Sequence, residues 1–257
     1  MDYLIIAVAA FIVSALTLFS GFGLGTLLMP AFALFFPVET AVAATAVVHF
    51  SNNIFKGILL GKDAERGILL RFGLLAAAAS FAGALVLEYF SLLPVIDSYH
   101  IFGKEAIVTP VKLLIAFVML GFAYFELNDK LQNVKMSKRH YAFGGVLSGF
   151  FGGLSGHQGA LRSMFLLRSG LTKQQYIATG VIIAILVDVS RLIVYGAGGF
   201  SKTLGDLPAQ VLTGIFAALA GTLLGKRLIK KVTFGSIRYL TALLLMLIAL
   251  LLGAGII

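Results

Sequence analysis

The sequence predicts an all-α, polytopic membrane protein built as an inverted repeat of two halves, each a glycine-broken re-entrant helical hairpin plus three transmembrane helices. Three observations carry this. Hydrophobic residues make up 60% of the 257-residue chain and charged residues 12%, with a mean hydropathy of +1.01, well outside the range of water-soluble domains. A glycine-interrupted apolar segment occurs twice, as Ser20-Gly21-Phe22-Gly23-Leu24-Gly25 and as Ser155-Gly156-His157-Gln158-Gly159. Basic residues gather in three loops, the pattern of loops held on the cytoplasmic side of a bilayer.

Apolar runs fall at residues 3 to 19, 24 to 36, 41 to 60, 68 to 90, 110 to 127, 141 to 154, 159 to 168, 176 to 196, 208 to 226 and 236 to 256. A spanning helix needs about 20 apolar residues. The runs at 24 to 36, 141 to 154 and 159 to 168 fall short of that, and the run at 3 to 19 is marginal. The short runs form two adjacent pairs, each reading as two half-helices that meet at membrane depth. The first run opens with Met1-Asp2-Tyr3, without the basic flank of a signal peptide, and is expected in the mature fold.

Charge sets the sidedness. The loop at 61 to 71 carries Lys62, Arg66 and Arg71; that at 128 to 140 carries Lys130, Lys135, Lys138 and Arg139; that at 226 to 238 carries Lys226, Arg227, Lys230, Lys231 and Arg238. These are expected in the cytoplasm. The loops at 91 to 109 and 197 to 207 hold only Lys104 and Lys202 against Asp97, Glu105 and Asp206, and are expected outside. Between His140 and Ala197 the chain must cross an odd number of times, and residues 176 to 196 supply one crossing. Residues 141 to 168 are therefore expected to form a hairpin that enters from the cytoplasm and returns there. The same reasoning makes residues 3 to 36 a hairpin entering from outside, and puts both termini outside. The halves are residues 1–127 and 141–257, joined by a cytoplasmic linker at 128–140. Ala44-Thr45 matches Ala178-Thr179, and one residue out of register Asn53, Lys56 and Gly61 match Asp188, Arg191 and Gly196.

Several function classes drop out. Cysteine is absent, which removes disulfides and thiolate chemistry. The four histidines never fall at ligand spacing, so neither metal nor cofactor is expected. The formal charge of +9 resides in loops that topology explains, not in a nucleic-acid surface. With no stretch long enough for a soluble domain, an enzyme is not expected.

The candidate site lies at the two breaks. Interrupted helices expose unpaired N–H groups and the positive end of a helix dipole, a setting for an anion. Ser20, Gly21, Phe22 and Gly23 in the first break, and Ser155, Gly156, His157 and Gln158 in the second, are expected to cradle it. Arg162, near the start of the half-helix after the second break, is an arginine in an apolar neighbourhood, where it needs an anion or a carboxylate partner. A bound substrate or a permanent ion pair with Asp188 would serve equally. Asn52 and Asn53 are expected to line a pathway or to bond between helices. His49, Lys56 and Asp188 are candidate coupling or ion-pair groups, and Arg191 a substrate contact; Lys56 and Arg191 could instead snorkel to the two surfaces. His157 could carry a proton or simply cap its half-helix.

The Gly21-x-Gly23-x-Gly25 run with Pro30, the stretch from Ala41 to Asn53, and the run Gly149-x-x-Gly152-Gly153-Leu154-Ser155-Gly156 together resemble the sulfite exporter TauE/SafE family, also called the 4-toluene sulfonate uptake permease family. The resemblance covers essentially the whole chain. It departs from the family pattern in the second break, where His157, Gln158, Ala160 and Arg162 stand in place of further glycines and a proline. The resemblance implies a secondary transporter of the bacterial cytoplasmic (inner) membrane that moves sulfite, an organosulfonate such as sulfoacetate, or thiosulfate by alternating access, chiefly outward. It also implies a coupling proton or sodium ion, the lipid bilayer as surroundings, and room for a homodimer. An anion channel, or a carrier of a non-sulfur organic anion, is the alternative.

Overall fold

The computed structural model describes residues 1–17, 24–101, 103–128, 130, 140–167, 169–198, 208–228 and 234–257. The first break, with Ser20, Gly21, Phe22 and Gly23, lies outside the described residues, as does most of the linker at 128–140. The helices are α1 (Asp2–Thr17), α2 (Leu24–Ala33), α3 (Val38–Leu60), α4 (Arg66–Ser91, with a π-helical turn at Leu69–Gly73), α5 (Pro110–Leu127), α6 (Tyr141–Ser155), α7 (Gln158–Leu166), α8 (Lys173–Ala197), α9 (Pro208–Leu228) and α10 (Phe234–Gly253). Between α4 and α5 stands a β-hairpin that the hydropathy pattern does not foretell, β1 (Asp97–Ile101) antiparallel to β2 (Lys104–Val108), turning at Gly103.

Among the described residues α4, α5 and α8 are long and apolar enough throughout to cross a membrane. Helix α3 has the length, 23 residues, but interrupts its apolar run with His49, Asn52, Asn53 and Lys56. The outer surface suits lipid: Leu113, Phe117, Leu120 and Tyr124 form an exposed stripe on α5, and Leu240, Leu243, Leu247 and Leu250 another on α10. Such continuous apolar faces would aggregate in water.

Helices α4 and α6 run side by side in the same direction, with Gly145, Gly149 and Gly153 set against the backbone of Phe72, Ala76 and Ser80. A Cβ at any of these glycines would collide with a carbonyl oxygen, so the approach depends on their missing side chains. Helices α1 and α9 pack in the same parallel sense, Gly221 against Phe11 and Gly225 against Ala15. Further packed pairs include α5 with α10, α3 with α8, α4 with α8, α3 with α9, α1 with α2, α2 with α3, α6 with α7, α7 with α8, α6 with α8, α2 with α10 and α4 with α5.

Two faces result. Glu65, Gly67, Arg71, Tyr141, Ser169, Gly170 and Gln175 line a cavity of about 410 Å³ at one end. Phe35, Pro37, Glu39, Leu93, Ile107, Thr109 and Ile257 line one of about 430 Å³ at the other. Helix α4, with 26 residues at about 1.5 Å each, spans the distance between them. At the second face the Ile107 amide donates to the Gly255 carbonyl (2.9 Å) and the Tyr99 hydroxyl to that of Ala254 (2.5 Å), fastening the β-hairpin to the end of α10.

Candidate functional site

The second break stands where its glycine places it. Helix α6 ends at Ser155, Gly156 adopts a left-handed conformation (φ 81°), and α7 begins at Gln158. Only glycine enters that region without strain. The chain then doubles back, so that Phe165 near the end of α7 packs over Gly144 near the start of α6. The turn sits level with Gly83, about two thirds of the way along α4.

Gly25, at the start of α2, faces this turn: a Cβ placed on it would lie 3.0 Å from the Gly156 carbonyl oxygen and 3.7 Å from the His49 ring. Glycine at position 25 therefore lets the beginning of the second half-helix of one hairpin approach the break of the other. Gly156 in turn lies beside the Arg191 guanidinium.

Around this meeting point the antiparallel pair α3 and α8 bring together a buried charged cluster. Asp188 is its hub. One carboxylate oxygen accepts from Arg191 Nη2 (2.7 Å) and Nε (3.0 Å), and from Gln158 Nε2 (3.4 Å). The other lies 2.7 Å from His49 Nδ1 and accepts from Asn53 Nδ2 (3.5 Å). Arg191 also reaches the Gly152 carbonyl at the end of α6 (3.4 Å), a backbone acceptor left over where that helix stops. Arg162 Nη1 donates to Gln158 Oε1 (3.3 Å), and its guanidinium packs against Gly180. Asp188 and Arg191 are 0% exposed, Arg162 4% and Lys56 6%.

These contacts correct several expectations. Asp188 forms an ion pair with Arg191, because the two sit three residues apart on one face of α8 and are joined by a two-pronged guanidinium contact. Neither Arg191 nor Lys56 snorkels to a surface, both being buried. His157 occupies the N-cap position of α7 but its side chain makes no cap bond; its Nδ1 is 3.0 Å from the Ser155 carbonyl and hydroxyl oxygens, and its ring stacks on Phe122 of α5 at 5.2 Å. The Ser155 hydroxyl donates to the Phe151 carbonyl within its own helix. Asn52 bonds between helices, accepting from Thr222 of α9 (2.8 Å), while its buried Nδ2 has no partner among the described residues. The buried His157 Nε2 and Thr45 hydroxyl likewise have no partner among the described residues.

Sequence reasoning missed Thr222, Ser14, which bonds it (2.7 Å), and Tyr195, whose hydroxyl donates to the Gly153 carbonyl. For Tyr195 the signal was present: it falls one turn after Arg191 and two after Asp188, on the same helical face. Thr222 and Ser14 are small hydroxyls common in membrane helices, and no spacing sets them apart.

The family model for the sulfite exporter TauE/SafE matches residues 6–252. The chain belongs to that family. This TauE/SafE chain is thus a multi-pass membrane protein of a transporter family, with a small sulfur-containing anion as the class of solute and the bilayer as its surroundings. No curated protein and no solved structure matches it.

Proposed function

We propose that this TauE/SafE chain is a secondary transporter that exports a small sulfur-containing oxyanion such as sulfite, sulfoacetate or thiosulfate across the bacterial inner membrane by alternating access. The observation that carries the reading is the convergence of Gly25 and the Gly156 turn on the buried cluster of Arg191, Asp188, His49, Gln158 and Arg162. Buried charge is costly in a membrane protein and is retained where it serves a pathway. Half-helices that end there supply backbone donors without adding further charge.

In this reading the incoming oxyanion takes contacts from Arg162, Gln158, Asn53 and from Asn52 Nδ2 and His157 Nε2, which have no partner among the described residues. It competes with Asp188 for Arg191. A coupling proton or sodium ion occupies Asp188 and His49 while the anion holds Arg191, and leaves with the anion, so that the Asp188 and Arg191 pair re-forms in the empty carrier.

The packing supports two inverted halves, residues 1–127 and 141–257. Exchanging each of α1 to α5 with its counterpart among α6 to α10 turns the pair α1 and α9 into α6 and α4, and the pair α3 and α9 into α8 and α4; α3 with α8 and α5 with α10 map onto themselves. The Ser80 hydroxyl on the Val187 carbonyl (3.0 Å) then stands where Thr222 stands on Asn52. The sharing of one face by residues 65–71, 141 and 169–175 favours that face as cytoplasmic, with both termini outside.

The test is transport in liposomes loaded with purified protein. Saturable sulfite flux with counterflow is expected; flux without counterflow would replace the carrier by a pore, and the absence of both flux and binding for every sulfur oxyanion would overturn the proposal.

A further inference from the structure

Resting on the reading of the Gly156 cluster as the solute site, we infer that Lys56 is a second station for the anion, between that cluster and the face lined by Glu65 and Arg71, on a polar wall that α3 presents to the passing solute. The wall follows from spacing. Thr45, His49, Asn52 and Lys56 stand at i, i+4, i+7 and i+11, a single stripe of the helix. All four are buried, whereas Ile54 on the opposite side of α3 is 38% exposed.

Polar groups buried in a membrane protein ordinarily find partners. On this stripe His49 does so, meeting Asp188 at 2.7 Å. Asn52 commits its carbonyl to Thr222, but its Nδ2, like the Thr45 hydroxyl, has no partner among the described residues. Lys56, 6% exposed, forms neither a hydrogen bond nor an ion pair among the described residues. The charge that acts on it is that of Arg162, which is itself held by Gln158 and attracted by Asp188.

The matched stretches explain why Lys56 stands alone. Asn53 and Lys56 on α3 correspond to Asp188 and Arg191 on α8. On α8 the residue three before the cation is a carboxylate that neutralises it. On α3 the same position is a neutral amide, which turns to His49 and Asp188 instead. A buried ammonium without a carboxylate is costly, and an anion beside it removes that cost.

The packing puts Lys56 on the way out of the cluster. Its neighbour Gly57 meets Ile185 and Val181, which lie about one and two turns before Asp188 on α8. Farther in the same direction the Glu65 amide donates to the Thr179 hydroxyl (2.9 Å), beside the cavity that Glu65 and Arg71 line. An anion released from Arg191 and Gln158 toward that cavity passes Lys56 next.

Because the chain has no cysteine of its own, single cysteines in the full-length protein in liposomes test the wall. Asn52→Cys and Lys56→Cys are expected to react with the anionic reagent 2-sulfonatoethyl methanethiosulfonate at least about tenfold faster than Ile54→Cys at the same depth, since a thiol reacts only where water reaches it. Equal rates would overturn the wall. In Asn52→Cys, preference for this reagent over its trimethylammonium counterpart, each corrected for its rate with a free thiol, should fall at least about threefold when Lys56→Gln is added. An unchanged preference would overturn Lys56 as an anion station. Lys56→Gln alone should slow sulfite flux about tenfold without lowering the unfolding temperature, because it strands no partner, and Lys56→Arg should restore most of the flux. Unchanged flux, or a lowered unfolding temperature, would overturn the station in favour of a structural lysine. The thiol reactions need no sulfite, so a failure of the unaltered protein to bind or move sulfur oxyanions would overturn the solute reading separately.

Discussion

Asp188 serves two helices at once: it neutralises Arg191 on its own helix α8 and holds His49 and Asn53 on α3. Replacing it by asparagine keeps the shape and leaves the buried Arg191 charge uncompensated, a change that costs about 3–5 kcal/mol in buried pairs. Asp188→Asn should therefore lower the unfolding temperature of the purified protein clearly, and an unchanged temperature would mean that Arg191 is balanced by another group. Arg162 plays a different part. Its contact is with the Gln158 amide at the start of α7, so Arg162→Ala should abolish sulfite binding while the protein still inserts and purifies; retained affinity in a titration would remove Arg162 from the site. The residue types at the cluster were legible in the sequence, because a charge on an apolar background stands out wherever it falls. Their partners were less so. The sequence offered Arg162 as the ion-pair partner of Asp188 because it is the isolated charge, and only the crossing of α3 over α8 shows His49 as a partner of Asp188 beside Arg191.

At the scale of elements, the glycine spine of α6 governs how deeply the second break is set. Gly145, Gly149 and Gly153 seat α6 on the backbone of α4, and an added methyl group at Gly149 or Gly153 meets a carbonyl oxygen that cannot move aside. Gly149→Ala should cost about 1–3 kcal/mol through overpacking, read as a lower unfolding temperature, whereas Gly121→Ala on α5, where open space surrounds the site, should be neutral. Similar losses in both would argue against a packing role for the spine. The apolar runs anticipated the helices closely, since lipid demands a minimum length and the chain shows where that length is missing. The break between Ser155 and Gln158 was visible for the same reason. The β-hairpin at 97–108 was not: its two five-residue strands mix polar with apolar residues and the first is largely exposed, so they read as an ordinary loop between spans.

Across the whole molecule, the natural absence of cysteine makes sidedness directly measurable. Single cysteines at Glu39 and Lys173 should react from opposite sides of sealed vesicles, external for Glu39 and cytoplasmic for Lys173. Labelling from the same side would break the arrangement of inverted hairpins. The expectation of an inverted repeat rested on the paired short runs and on the loop charges, because the two proposed halves share few identical residues.

The fastening of the β-hairpin to Ala254 and Gly255 has a mechanical corollary. It clasps the connection between α4 and α5 to the far end of the chain, at the rim where α5 and α10 also pack. Rigid-body motion of one half past the other must pivot about this seam or unclip it, so trimming the last four residues would free a hinge that the intact chain keeps pinned.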